Sequence, residues 1–90
     1  MSIFNNHERH LRQQRAYMYG NLMSMRNEYL RRLYNECYPD EQICSIDFQD
    51  NVPDFCPTLD IEFYDEESGG TRDVRMERAS IADRIMEVML

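Results

Sequence analysis

The chain is 90 residues long and carries 17 Asp and Glu against 10 basic residues, all of them Arg, for a net charge of −7. Without lysine there is no Schiff-base chemistry and no P-loop lysine, and an acid excess of this size disfavours direct binding of nucleic acid. The length predicts one domain over residues 1–90 with a modest core that oligomerisation would help, while six Tyr, four Phe and seven Met argue against disorder.

The N-terminal stretch MSIFNNHERH holds no apolar core of signal-peptide type, and no run approaches the ~20 apolar residues of a membrane span. Cys37, Cys44 and Cys56 form an odd set without a CxxC pair, so free thiols in a reducing cytoplasm are expected. Helix is predicted from Asn5 to Cys37, since no proline occurs before Pro39. At about 100° per residue, Phe4, Leu11, Met18, Leu22, Met25, Tyr29 and Leu33 share one stripe, with Tyr19, Met23, Leu30, Tyr34 and Cys37 beside it. An unbroken helix of that length would measure about 50 Å, against roughly 20 Å for the strands of a small sheet. Either the helix breaks near Gly20-Asn21, or its overhang packs on a second subunit. Met18, Leu22, Met25 and Tyr29 are then the candidate homodimer contacts. Arg9, Arg12 and Arg15 oppose the dipole at the start of the helix and need an acidic neighbour. Arg26 falls inside the apolar arc, as a snorkelling or paired side chain at an interface.

Tyr38-Pro39 ends the helix, because proline disfavours the helical region for the residue before it. From Ile43 to Gln49 the pattern alternates, with Cys44, Ile46 and Phe48 on one face and Ser45, Asp47 and Gln49 on the other. A loop with Pro53 and Pro57 follows. Thr58 to Asp65 alternates more cleanly, with Leu59, Ile61 and Phe63 inward and Asp60, Glu62 and Tyr64 outward. Glu66 to Gly70 reads as a hairpin turn whose two glycines supply positive φ. Thr71 to Glu77 makes a third strand with Val74 and Met76 inward and Asp73, Arg75 and Glu77 outward. Ser80 and Asp83 have capping-box spacing for a short last helix, with Ile81, Ile85, Val88 and Met89 on its apolar side. The predicted fold is α+β in the order α-β-β-β-α: a long N-terminal helix, a three-stranded antiparallel meander and a short C-terminal helix. One sheet face packs on the helices and the other meets water.

The charge is unevenly placed along this chain. Residues 1–38 carry six Arg against three Glu, residues 39–70 carry ten acids and no base, and residues 71–90 carry four of each sign. The acids collect on the outer sheet face and its rims: Asp47, Asp50, Asp54, Asp60, Glu62, Asp65, Glu66 and Glu67. Asp60 and Glu62 project from one side, about 6.7 Å apart by strand rise. Like charges facing across strands are destabilising, so folding gives no reason to gather them. An acidic face of this kind is either a solubilising, edge-protecting surface or a surface for a basic partner, with strong steering and salt sensitivity.

Other chemistry finds less support. His7 and His10 are three apart on a helix, but HERH is not HExxH, the three cysteines lack zinc-ligand spacing, and DEESGG lacks the order of a calcium loop. No metal, cofactor or catalytic residue is predicted. The carboxylates have no nucleophile, Gly-rich phosphate loop or histidine near them in the sequence, so no enzyme is expected. The α-β-β-β-α order is also that of double-stranded RNA-binding domains, but the last helix here offers Arg78 and Arg84 among Glu77, Asp83 and Glu87. The order supports an analogy of fold and not of function.

The segment EYLRRLYNECYPDEQI, followed by PTLDIEF, resembles the first helix and first strands of RWD-type interaction domains, although the YPxxxP turn of that family is absent. The resemblance lies within residues 28–63 and implies a protein-binding module. The expected function is therefore that of a small acidic cytoplasmic inhibitor or binding module. Its carboxylate face would occupy a basic site on a partner protein, such as one that otherwise holds nucleic acid, as an acidic mimic of it. Viral and phage inhibitors of host nucleases offer an analogy of size and charge. The alternative is a structural or assembly protein that forms a homodimer through the Tyr/Met-rich helix.

Overall fold

In the computed structural model, residues 3–47 and 58–90 are described, with side chains from Arg9 to Ile46 and from Thr58 to Leu90. The elements are α1 (Ile3–Ser24), α2 (Asn27–Cys37), β1 (Ile43–Asp47), β2 (Thr58–Asp65), β3 (Gly70–Glu77) and α3 (Arg78–Met89). The α+β class and the antiparallel meander agree with the expectation from sequence. The single long helix does not, and the order is α-α-β-β-β-α.

The chain breaks at Met25 and Arg26, not at Gly20-Asn21, which stay helical. Arg26 is extended, at φ −63° and ψ 144°. The cause lies more than fifty positions away in the sequence. Arg78 and Asn27 are both buried. The Arg78 guanidinium donates from Nη1 to the carbonyls of Leu22 (3.3 Å) and Met25 (2.8 Å), and from Nη2 to Oδ1 of Asn27. A helix end leaves carbonyls without intrahelical donors and carries partial negative charge. A planar cation with several donors answers both needs. Leu22 ends α1 inside the core and Leu30 and Tyr34 of α2 re-enter it at a new angle, so the straight stripe predicted from Phe4 to Leu33 does not form. Arg26 is exposed at the N-cap of α2 and makes no side-chain cap bond.

The sheet has the order β1-β2-β3, with every residue of β2 paired to β3, from Thr58 opposite Glu77 to Asp65 opposite Gly70. Leu59, Ile61 and Phe63 are buried beneath the helices, as their alternation requires. β1 departs from simple alternation. Its register against β2 shifts between Ile43 and Ser45, so Ile43 and Ile46 both point inward and are buried. Cys44, predicted inside, is only half-buried beside Tyr64 and pushes that phenol's pKa upward. A β-bulge of this kind lets one strand spend an extra residue without turning its face over. Asn35 holds the start of the strand: its Oδ1 accepts from the Ile43 amide at 2.6 Å and its Nδ2 donates to the Ile43 carbonyl at 3.0 Å. Phe48, Gln49 and the two-proline loop lie outside the described residues.

The hairpin between β2 and β3 needs one left-handed residue, Gly69, at φ 71°; Gly70, predicted to share that role, already belongs to β3. Asp65 accepts from the Glu67 amide through Oδ1 at 3.1 Å and from the Gly69 amide through its carbonyl at 3.0 Å. β3 runs straight into α3. Glu77 is the N-cap, without a side-chain cap bond, so Ser80 and Asp83 do not form the predicted capping box. Burial of Arg78 draws the helix start back before Ser80. The buried face of α3 is Ile81, Ala82, Ile85 and Met86, while Val88 and Met89 are largely exposed.

The described chain measures 55 × 33 × 17 Å with a radius of gyration of 15.5 Å, against about 12 Å for a compact chain of this length. The excess is in α1. Every residue from Arg9 to Tyr17 is exposed, and Met18 is the first to be partly covered. Among the described residues no helix is long and apolar enough to cross a membrane.

Candidate functional site

The outer face of the sheet is where side chains of alternating sign and size are displayed on a rigid frame. β2 is the central strand, so Asp60 and Glu62 stand in the middle of this face. The register sets their neighbours. Asp60 lies between Asp47 on β1 and Arg75 on β3, and Glu62 lies between Ser45 and Asp73. Arg75 Nε donates to Asp60 Oδ1 at 3.0 Å, and the Asp60 carboxylate in turn pushes the Arg75 pKa upward. Glu62 has no such relief. Its Oε1 is 3.5 Å from the Ser45 hydroxyl, and the residue directly across is another carboxylate, Asp73. Asp65, Glu66 and Glu67 continue the acidic surface onto the hairpin tip. A shallow depression of about 400 Å³ on the sheet is lined by Asp60, Ile61, Asp73, Val74 and Arg75.

Of the eight residues expected to bind a partner, five have described side chains and Asp47 is placed by its backbone register. Asp60 and Glu62 share the open face, Asp47 is next to Asp60 in register, and Asp65, Glu66 and Glu67 form the tip. Asp50 and Asp54 lie outside the described residues. Sequence reasoning put Asp73 on the outer side of its strand but did not count it in the site. Its importance comes from the cross-strand register, which puts it opposite Glu62, and the length of the hairpin turn carries that signal. The four residues expected at a homodimer contact fall apart: Leu22 is 1% exposed and belongs to the molecule's own core, Met18 and Met25 pack partly against it, and Tyr29 is 55% exposed.

A second cluster lies at the far edge of the helix layer. Glu41, just before β1, receives Arg84 of α3 at 2.9 Å and Arg72 of β3 at 3.9 Å. Arg84 lies over the Tyr38 ring at 4.9 Å and the Tyr34 ring at 5.6 Å, and Arg72 over Phe63 at 5.2 Å. Tyr34 and Tyr38 stack at 4.9 Å, and the Tyr38 hydroxyl donates to the Arg84 carbonyl at 2.6 Å. The Tyr34 hydroxyl is buried and finds no acceptor at hydrogen-bond geometry among the described residues. Burial pushes its pKa up to about 12, helped by the nearby Glu41 charge and opposed by Arg84. These groups are consumed by one another. They fasten α2, β1, β3 and α3 together and leave no open chemistry.

Among the described residues no three His, Cys, Asp or Glu side chains come together in a way that could hold a metal ion. Cys37 and Cys44 are free thiols, and burial, ahead of the Glu36 charge, raises the Cys37 pKa. No protein-family model, curated protein or solved structure matches this chain.

Proposed function

We propose that the chain works by stoichiometric binding, with the open sheet face and hairpin tip as an acidic surface for a basic site on a partner protein, including one that otherwise holds nucleic acid. The observation that supports this most is the direct opposition of Glu62 and Asp73 on an exposed sheet face. Like charges in that position cost stability, and among the described residues no ion pair answers either of them, Glu62 having only the long hydrogen bond from Ser45. A cation from outside would recover the cost. The sheet holds the carboxylates at fixed spacing, so the entropy lost on binding is small. Association would be fast at low ionic strength and would weaken as salt rises.

The test is charge reversal at the two opposed carboxylates, neither of which is ion-paired among the described residues. Glu62→Lys with Asp73→Lys should abolish salt-sensitive retention of the partner from cell extract while leaving circular dichroism unchanged. Reversal of Asp60 is a poorer test, because it also frees Arg75. Retention that ignores salt, or that survives the double reversal, removes this reading.

A second reading, an assembly protein that pairs through α1, is favoured by the exposure of α1 from Arg9 to Tyr17. It predicts that Leu11→Asp, and not Glu62→Lys, changes the sedimentation coefficient of the chain.

A further inference from the structure

The arginines fall into two groups. Arg31 and Arg32 pair with Glu28, Arg72 and Arg84 with Glu41, and Arg75 with Asp60, while Arg78 is bonded within the core. Among the described residues, Arg9, Arg12, Arg15 and Arg26 make no ion pair and no side-chain hydrogen bond. Three of these four stand on the projecting turns of α1. Arg12 and Arg15 border a groove of about 350 Å³ with Asp83 on its other side, but neither comes within ion-pair distance of it. An isolated helical segment this short is marginal in water unless something packs on it.

The same chain therefore shows unpaired cations on one element and unpaired anions on another. They cannot meet within one molecule. α1 packs against α3 in the helix layer, and Glu62 and Asp73 open on the opposite side of the sheet. Their spacings match, however. Residues three apart on a helix, such as Arg12 and Arg15, have Cβ atoms about 5–6 Å apart. Directly opposed residues on antiparallel strands, such as Glu62 and Asp73, have Cβ atoms about 4.5–5.5 Å apart. Each element also offers an exposed apolar neighbour. Leu11 is one turn before Arg15 and 44% exposed, and Tyr64 is beside Glu62 on the outer face and 57% exposed.

We propose that the projecting turns of α1 dock on the open sheet face of a second copy, head to tail, with Arg12 and Arg15 against Glu62 and Asp73. The inference rests on reading that face as a surface for cations, and it names the chain's own helix as one occupant. A contact between two different patches closes when two copies exchange helices or a ring returns on itself, and otherwise leaves one helix and one face open so that growth continues with concentration. An external basic partner would compete with it for the same carboxylates.

Sedimentation velocity on the 90-residue chain at low and high salt tests the proposal. Wild type should associate with rising concentration at low salt, as a closed dimer or ring or as an open series, and collapse to monomer at high salt. Neutral variants avoid creating new ion pairs: Arg12→Gln with Arg15→Gln, and Glu62→Gln with Asp73→Asn. Each double variant alone should be monomeric, with unchanged circular dichroism. Mixed one to one, they should give a heterodimer and nothing larger, because only one good helix and one good face remain. A strictly monomeric wild type, a double variant that still associates on its own, or a mixture that stays monomeric overturns the proposal. So does a monomeric chain that binds heparin through Arg12 and Arg15, which would give the helix a different anion. If the chain is monomeric while reversal of Glu62 and Asp73 still abolishes retention of a basic protein, the self-contact fails and the function proposed for the face stands.

Discussion

Arg78 is the side chain on which the helix layer turns. In the sequence it is one of four arginines near the C-terminus and has the look of a surface residue on an amphipathic helix. In the folded chain it is fully buried and bonded to Leu22, Met25 and Asn27. Removing it strands several buried acceptors, each worth about 1–3 kcal/mol when left unsatisfied. Arg78→Ala is therefore expected to lower the unfolding free energy by about 3–4 kcal/mol, read from the shift of a urea transition midpoint. Arg78→Lys should recover only part of it, since an ammonium cannot span those acceptors as a planar fork does. Tyr34 is the complementary case, a buried hydroxyl with no well-formed bond. Tyr34→Phe should be neutral or stabilising by up to about 1 kcal/mol at pH 7. The pH dependence has a definite sign. Burial raises the phenol from its ordinary 10.0 to about 12, so the native state holds the proton more tightly than the unfolded chain. That contribution is complete below pH 10 and is lost as pH rises through about 12. Thermal melts of wild type and Tyr34→Phe should diverge in that window, with wild type losing stability faster.

The helices show how propensity and packing divide the labour. Nothing between Asn5 and Cys37 breaks a helix by local chemistry, and Gly20 sits within α1 without consequence. The break at Met25 and Arg26 comes instead from two buried polar groups that need each other. It leaves α2 poorly capped, because Arg26 at the N-cap has no oxygen to offer the free amides of the first turn. The Leu30 amide already bonds the Arg26 carbonyl at 3.0 Å, so the backbone is set for a cap. Arg26→Ser should raise stability by about 0.5–1 kcal/mol, measured by denaturant titration, without moving either helix. Strand β2 behaves in the opposite way. Its alternation was legible residue by residue, since a period of two leaves no freedom once one face is apolar. β1 escaped that logic because a bulge carries no clear mark in so short a segment.

Taken whole, the molecule leaves Arg9, Arg12 and Arg15 on the projecting helix, and Glu62 and Asp73 on the open sheet, without an ion pair among the described residues. Between them, Glu41 is shared by Arg72 and Arg84, and Arg84 is held protonated chiefly by its hydrogen bond to Glu41, against a smaller effect of burial. A face that carries Glu62 opposite Asp73 loses some stability to like-charge repulsion. Asp73→Asn should therefore stabilise the fold by about 0.2–1 kcal/mol, with the gain shrinking as salt rises, and should weaken binding of a basic partner in the same protein. A gain in stability with no loss of binding would mark Asp73 as outside the site.

The α+β class, the three strands, the turn after Asp65 and the outward aim of Asp60 and Glu62 all follow from periodicity, proline and glycine, which act within a few residues of one another. The length of the first helix, the inward turn of Ile43 in place of Cys44 and the start of α3 at Arg78 do not. Each depends on a partner distant in sequence: Arg78 for the helix end, the β2 register for the bulge, and the α1 carbonyls for the early start of α3. The acidic stretch changes meaning for the same reason. Composition shows that the carboxylates are many, while the register decides which of them is answered by Arg75 and which, Glu62 and Asp73, are left facing each other. That pairing rests on hydrogen bonds between strands in a register set by the length of the turn, which the alternation of side chains within either strand does not display.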